Sequence, residues 1–299
     1  MARADNHRPI VVGVDPDPAK RMALAWAADE AARRRVPLRL VNAEGVPTPE
    51  FRRWHVPASW EAWNQAMHVA GEQVLKAAVS FAEARQPQVE VGWLLAEGNP
   101  AWILAEQSND ATAVVLGSWH MSRVKEVFGA ASIVLPVMAH AHCPVVVVPE
   151  SEHTAEQPGY FVVGVDGSAR SAAAVGFAFE EAALRGAALR ALYVWQPGLL
   201  GVLDEHAAQQ ECSRLLHESV GGGTAYPDVE VRHELISGHP VKALTEASAH
   251  ALGLVVGTRG HGGFTSMLLG SVSQGVLHYA RCPVIVVPKT TASAGQNRS

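Results

Sequence analysis

Gly257, Gly260 and the pair Gly270-Ser271 follow the apolar run Leu254-Val255-Val256 at the spacing G-x2-G-x9-G-S. Glycine lets a main chain approach a ligand closely and tolerates positive φ. Ser271 reads as an N-cap and Ser273 lies near the start of the helix that follows. Free N–H groups at such a start, at the positive end of the helix dipole, favour an anion. Each hydrogen bond to a charged phosphate contributes about 1.5–3 kcal/mol, so three or four suffice to hold a nucleotide. Arg259 and His261 are further donors on the same loop. The chemistry on offer is phosphate binding, and the plain alternative is a tight turn. Two familiar nucleotide motifs are absent: there is no GxxxxGK[ST], and "DGSARS" rather than GxGxxG follows the first strand of this half.

The elements that must position this loop occur twice. "IVVGVDPDPAKRMALAWAADEAARRR" (10–35) matches "FVVGVDGSARSAAAVGFAFEEAALRG" (161–186), "EGNPAWILAEQ" (97–107) matches "SGHPVKALTEA" (237–247), and "HCPVVVVP" (142–149) matches "RCPVIVVP" (281–288). Three blocks in one order mean a duplicated domain. The expected boundaries are 1–150 and 159–290, with a polar linker at 150–159 and a disordered tail at 291–299. In the second copy the patterning predicts strands near 160–166, 189–195, 228–235, 253–257 and 283–288. It predicts helices near 169–186, 202–221, 239–250 and 271–281. Val175, Phe179, Ala182 and Ala183 are the expected buried face of the first of these. Strands apolar on both faces, alternating with helices, indicate an α/β fold: two tandem doubly wound domains, each with a five-stranded parallel sheet. Ligands of such sheets sit beyond the carboxyl ends of the strands.

With "VVGVDGS" at the front, "GSVS" at 270–273 and "CPVIVVP" at the close, this half resembles the universal stress protein family in its ATP-binding branch. The resemblance spans about 8–149 and 159–289 and implies a Rossmann-like fold of the adenine nucleotide alpha hydrolase kind. It implies ATP as a bound ligand, with Mg2+ as a companion ion. Asp166 would meet the ribose hydroxyls, with Gly164 beside the nucleoside, and the Val194 backbone would meet adenine. Val256, Gly257, Thr258, Arg259, Gly260, His261, Gly262, Gly263, Gly270, Ser271, Val272 and Ser273 would surround the phosphates. The implied role is a cytoplasmic, nucleotide-dependent switch in stress response, acting on a protein partner as a homodimer. The two closing strands would pair as an intrachain pseudo-dimer. Catalysis is not expected beyond a very slow ATPase. A scaffold that binds no nucleotide, or a cyclic AMP binder, are the alternatives.

The first copy keeps Gly13, Asp15, Ala43 and Gly117 at the corresponding places. It departs in the loop, where His120 replaces Gly260 and, with Gly129 set opposite Gly270, Ala130 replaces Ser271. Arg123 and Lys125 offer charge instead. Nucleotide binding there is expected to be weaker. Several bland readings stand beside these. Asp15 and Asp166 are also ordinary turn residues, Arg33-Arg34-Arg35 reads as a solvated helix end, and Cys143 and Cys282 read as buried packing. Trp54, Trp60 and Trp63 read as packing of the long connection after the second strand.

Composition closes other routes. A formal net charge of −5 over 299 residues carries no basic footprint for nucleic acid. The longest apolar stretch, near 131–149, is broken by Pro136, His140, His142 and Pro144, which argues against a membrane span. Three scattered cysteines suggest neither a disulfide framework nor a zinc site. No signal peptide is visible, so the cytoplasm is the expected compartment.

Overall fold

A computed structural model describes residues 8–17, 20–44, 60–118, 133–150, 153–196, 205–221, 225–258 and 269–288. The chain forms two compact units, Met1–Glu152 and His153–Ser299. In the first, β1 (Ile10–Gly13), α1 (Met22–Arg34), β2 (Leu38–Glu44), α2 (Trp60–Arg85), β3 (Val91–Glu97), α3 (Pro100–Gln107), β4 (Ala113–Gly117), α4 (Val134–His140) and β5 (Val145–Val148) alternate. The second repeats them as β6 (Tyr160–Val165), α5 (Ala169–Arg185), β7 (Ala188–Trp195), α6 (Glu205–Val220), β8 (Val231–Ser237), α7 (Pro240–Ala247), β9 (Gly253–Gly257), α8 (Ser271–Tyr279) and β10 (Val284–Val287). Within each unit the strands pair in parallel, in the order β3-β2-β1-β4-β5 in one and β8-β7-β6-β9-β10 in the other. The expected α/β fold with parallel strands is the one observed.

Burial explains the strand composition. Val114, Val115, Val146, Val162, Val163, Leu254, Val255 and Ile285 are fully buried, as inner strands of a sheet covered by helices require. One strand boundary moves: β8 begins at Val231, because Val229 closes a turn with its N–H on the Tyr226 carbonyl at 3.2 Å. One helical face also changes. Val175, Phe179 and Ala182 are buried as expected, but Ala183 is exposed and Glu181 takes the inner place at 1% exposure.

Glu181 is held by Arg185 at 2.5 Å, and its counterpart Glu30 by Arg33 at 2.8 Å and Arg34 at 2.5 Å. Arg33 and Arg35 are exposed, as expected of a solvated helix end, but Arg34 is drawn in. Arg33 and Arg34 together neutralise a carboxylate that has been taken out of water. Arg35 caps α1 in the left-handed region at φ 56°, where Gly186 caps α5 at φ 58°. The side chain of Arg35 makes that conformation costly, whereas Gly186 adopts it freely. Cys143 and Cys282 are buried, and burial pushes their thiols up to about 12 and about 11. They stay protonated at neutral pH and act as small apolar groups.

Candidate functional site

Winding reverses between β1 and β4 in the first unit and between β6 and β9 in the second. Both reversals leave a crevice at the strand carboxyl ends. In the second unit the crevice is bounded by Asp166, just after β6, and Gly257, the last residue of β9. Asp166 accepts the Ser168 N–H at 2.9 Å, and the Ser168 hydroxyl in turn accepts the Ser171 N–H as N-cap of α5. Asp15 holds the same turn by accepting the Asp17 N–H at 2.8 Å. The turn thus accounts for one carboxylate oxygen in each half.

The segment between β9 and α8 is tied at both of its described ends. The Thr258 N–H donates to the Val287 carbonyl at 3.1 Å, and the Gly270 N–H donates to the Thr258 carbonyl at 2.9 Å. Ser273, 4% exposed, donates its hydroxyl to the Gly257 carbonyl at 2.7 Å. These bonds set the first turn of α8 against the end of β9. The N-cap is Gly270 (φ −70°, ψ 150°), with no side-chain bond. Ser271, expected as the cap, is instead the first helical residue and is exposed. Without a cap side chain, the N–H groups of Ser271, Val272 and Ser273 have no acceptor within the helix and are offered outward. Ser273 itself serves as the clamp. Arg259, Gly260, His261, Gly262 and Gly263 lie outside the described residues.

The nucleoside end divides differently from the expectation. A Cβ on Gly164 would stand 3.3 Å from Leu244 and 3.4 Å from Val256, and one on Gly13 would stand 3.2 Å from Leu116 and 3.3 Å from Leu104. These glycines let α7 and α3 pack close to the sheet. Val256 is buried. Val194 lies one residue beyond the β6–β7 ladder, which ends at Val165 and Tyr193, so its backbone edge on that side faces the crevice. Tyr193, pushed up to about 12 by burial and then by the Cys212 thiol, adjoins Asp166 and Glu211. Its side chain is partly buried and meets Cys212 of α6.

In the first unit Ser118 repeats the Thr258 bond, with its N–H on the Val148 carbonyl at 2.8 Å. The resemblance stops there. Ala141 and Ala280 both cap their helices with an N–H on Val137 or Val276. Counted back from these caps, Val134 falls at the Ser273 place and Pro136 at the Gly275 place. In a helix starting as early as α8, Pro136 would lose a backbone bond and clash with the preceding turn. The helix α4 begins instead at Val134, so Pro136 sits in the first turn, where no N–H is needed. The same count sets Ala131 and Ser132, not Gly129 and Ala130, opposite Gly270 and Ser271; His120, Arg123, Lys125, Gly129 and Ala130 lie outside the described residues. Val134 offers no hydroxyl for a clamp. The space beside Gly117 also holds a carboxylate: a Cβ there would be 2.7 Å from Glu150 Oε1.

Sequence reasoning missed Tyr193, Glu150 and the effect of Pro136. The signal was the two halves themselves, since each of these residues differs between them. Trp54, expected to pack the long connection, lies outside the described residues, as do the side chains of Trp60 and Trp63.

The Universal stress protein family model matches residues 6–149 and 160–288. Universal stress protein Rv2005c of Mycobacterium tuberculosis is 35% identical over 300 residues, covering 96% of this chain and 99% of the relative. Universal stress protein Rv2623 of the same organism is 33% identical over 302 residues, covering 96% and 98%. A crystal structure of a universal stress protein from Archaeoglobus fulgidus DSM 4304 superposes with a TM-score of 0.70 at 19% identity, covering 95% and 97%, which speaks to the fold alone. Among the described residues no helix is long and apolar enough to cross a membrane.

Proposed function

The chain belongs to the universal stress protein family, carried twice along its length, and from that premise we propose that its second half binds ATP as a regulatory switch. The observation that carries the proposal is the clamped first turn of α8, with Ser273 on Gly257 and Gly270 on Thr258. That turn offers backbone donors to phosphates at the positive end of a helix. Asp166 meets the ribose hydroxyls and the Val194 backbone meets adenine. Mg2+, where it accompanies the nucleotide, is held chiefly by phosphate oxygens and water.

The proposed action is binding and release in the cytoplasm, with no chemical step assigned to the protein. ATP at about 100 times its dissociation constant adds about 2.7 kcal/mol to the form that binds it. That free energy reaches a protein partner only when the bound and free forms differ in affinity for it. Isothermal titration of the full chain with ATP and with cyclic AMP tests the ligand, and product analysis after long incubation tests turnover. Saturable ATP binding without ADP release supports the switch. Tighter binding of cyclic AMP, or steady ADP production, moves the assignment to the corresponding alternative.

A further inference from the structure

The crevice of the first half opens into a cavity of about 430 Å³, within the range of about 300–1,000 Å³ usual for small-molecule sites. Three residues smaller than their counterparts in the second half line it. Asn42 and Tyr193 are equivalent, being the register partners of Leu95 and Leu235 on matching strands. Buried Gly71 and Leu75 in α2 match buried Cys212 and Leu216 in α6, which sets Val74 opposite Leu215. Where the second half has Tyr193, Cys212 and Leu215, the first has Asn42, Gly71 and Val74. Each is a loss of volume at the nucleoside end of the crevice. Met67, Ala70, Gly71 and Val74 of α2 form one wall, with Leu24 and Leu104 on the other side.

Among the described residues, the mouth of this cavity is poorly matched to phosphate. Asp15, Asp17 and Glu150 line it together with Lys20 and Arg21. Lys20 lies 3.5 Å from Asp15 and 4.0 Å from Asp17, and the Arg21 guanidinium lies over the Phe81 ring at 5.2 Å. The Glu150 carboxylate stands beside Gly117, where a phosphate would meet like charge. The helix start that serves an anion in the second half is set back by Pro136.

We propose that this cavity is a separate site for an uncharged or cationic amphipathic small molecule, whose apolar body lies against α2 and whose donor head meets the carboxylates of Asp15, Asp17 and Glu150. The site does not depend on ATP binding in the second half.

The probe is N-phenyl-1-naphthylamine, a neutral aromatic amine whose emission rises and shifts to the blue in apolar surroundings. Titrated into the full chain, it should saturate at one site, and saturating ATP should leave its affinity unchanged within about twofold. The triple variant N42Y/G71C/V74L installs the residues of the second half and should weaken the probe at least tenfold. Because Tyr193 and Cys212 already meet in the other copy, the exchange suits the fold, and thermal unfolding of the variant checks it. Should the triple variant fail to fold, Glu150→Lys, exposed to the same probe and to ATP, serves in its place. It should weaken the probe about threefold or more, while Pro136 still keeps ATP from the first half. Competitive displacement by ATP, no saturable binding, or unchanged affinity in the folded variants would overturn the proposal. Loss of ATP binding in a Ser273→Val variant with the probe retained would bear on the second half alone.

Discussion

The first turn of α8 and the first turn of α4 stand at matching places in the two copies and are built differently. In the second half a hydroxyl, Ser273, fastens the helix start to the end of β9, and Gly270 caps it without a side chain. In the first half the same two places pass to valine and to a residue other than glycine, and Pro136 delays the helix. A duplicated domain keeps its fold through buried strands, which differ little between copies. The helix start and the crevice wall are free to diverge because neither holds the sheet together. On the proposed reading, one copy keeps an anion site while the other exchanges it for an apolar cavity with an acidic mouth.

The largest way to break this contrast is to move the proline across. Gly275→Pro should begin α8 two residues later, cost about 3 kcal/mol or more in chemical denaturation, and lower ATP affinity at least a hundredfold in calorimetry. A Cβ at Gly275 also meets Val241 at 2.5 Å, so Gly275→Ala is the control. It should cost about 1–3 kcal/mol by overpacking while keeping ATP binding within about tenfold. Equal loss of affinity in both variants would show that packing, not the helix start, decides binding.

Next in size is the clamp. Ser273→Val removes the donor from a partly buried carbonyl, Gly257, and should cost about 1 kcal/mol with about a tenfold loss of ATP affinity. The converse change, Val134→Ser, should restore no ATP binding to the first half, because Pro136 still sets the helix start.

Much of this was legible in the residues. The repeated blocks disclosed the duplication, and apolar runs alternating with alanine-rich segments disclosed the layers, since these patterns are local in the chain. The spacing of Gly257, Gly260, Gly270 and Ser271 marked the loop, because a backbone anion site needs glycine at set intervals. Tyr193, Cys212 and Leu215 were not legible as a group. They come from a strand and a helix and meet only once the register is known. Glu30 escaped notice because a charged residue patterns as surface, and its burial depends on Arg33 and Arg34 reaching back one turn. Ser271 misled because a serine near a helix start reads as a cap, whereas extended backbone at Gly270 had already taken that position.

Smaller contrasts sharpen the comparison further. Arg35→Gly gives the first half the cap of the second. Removing a Cβ from the left-handed region should stabilise by about 1 kcal/mol, a rise of about 2–4 °C in Tm for a domain of this size. Gly186→Arg should do the reverse. The smallest effect is one of pH and belongs to the second half. His233 stacks on His217 with ring centroids 4.5 Å apart, and partial burial, then the neighbouring His217 charge, hold its pKa below the usual histidine value. The unfolded chain therefore takes up more protons there as pH falls. Stability should be complete above about pH 6.5 and decline as pH drops through that value toward the folded pKa. Denaturant midpoints at several pH values, compared with His233→Gln, read the difference, and the slope should flatten in the variant.

The most direct measurement is native mass spectrometry of the full chain with increasing ATP, beside Ser273→Val. One ATP per chain at saturation, lost first in the variant, is the predicted result. Two ATP per chain of similar affinity would contradict the division between the halves.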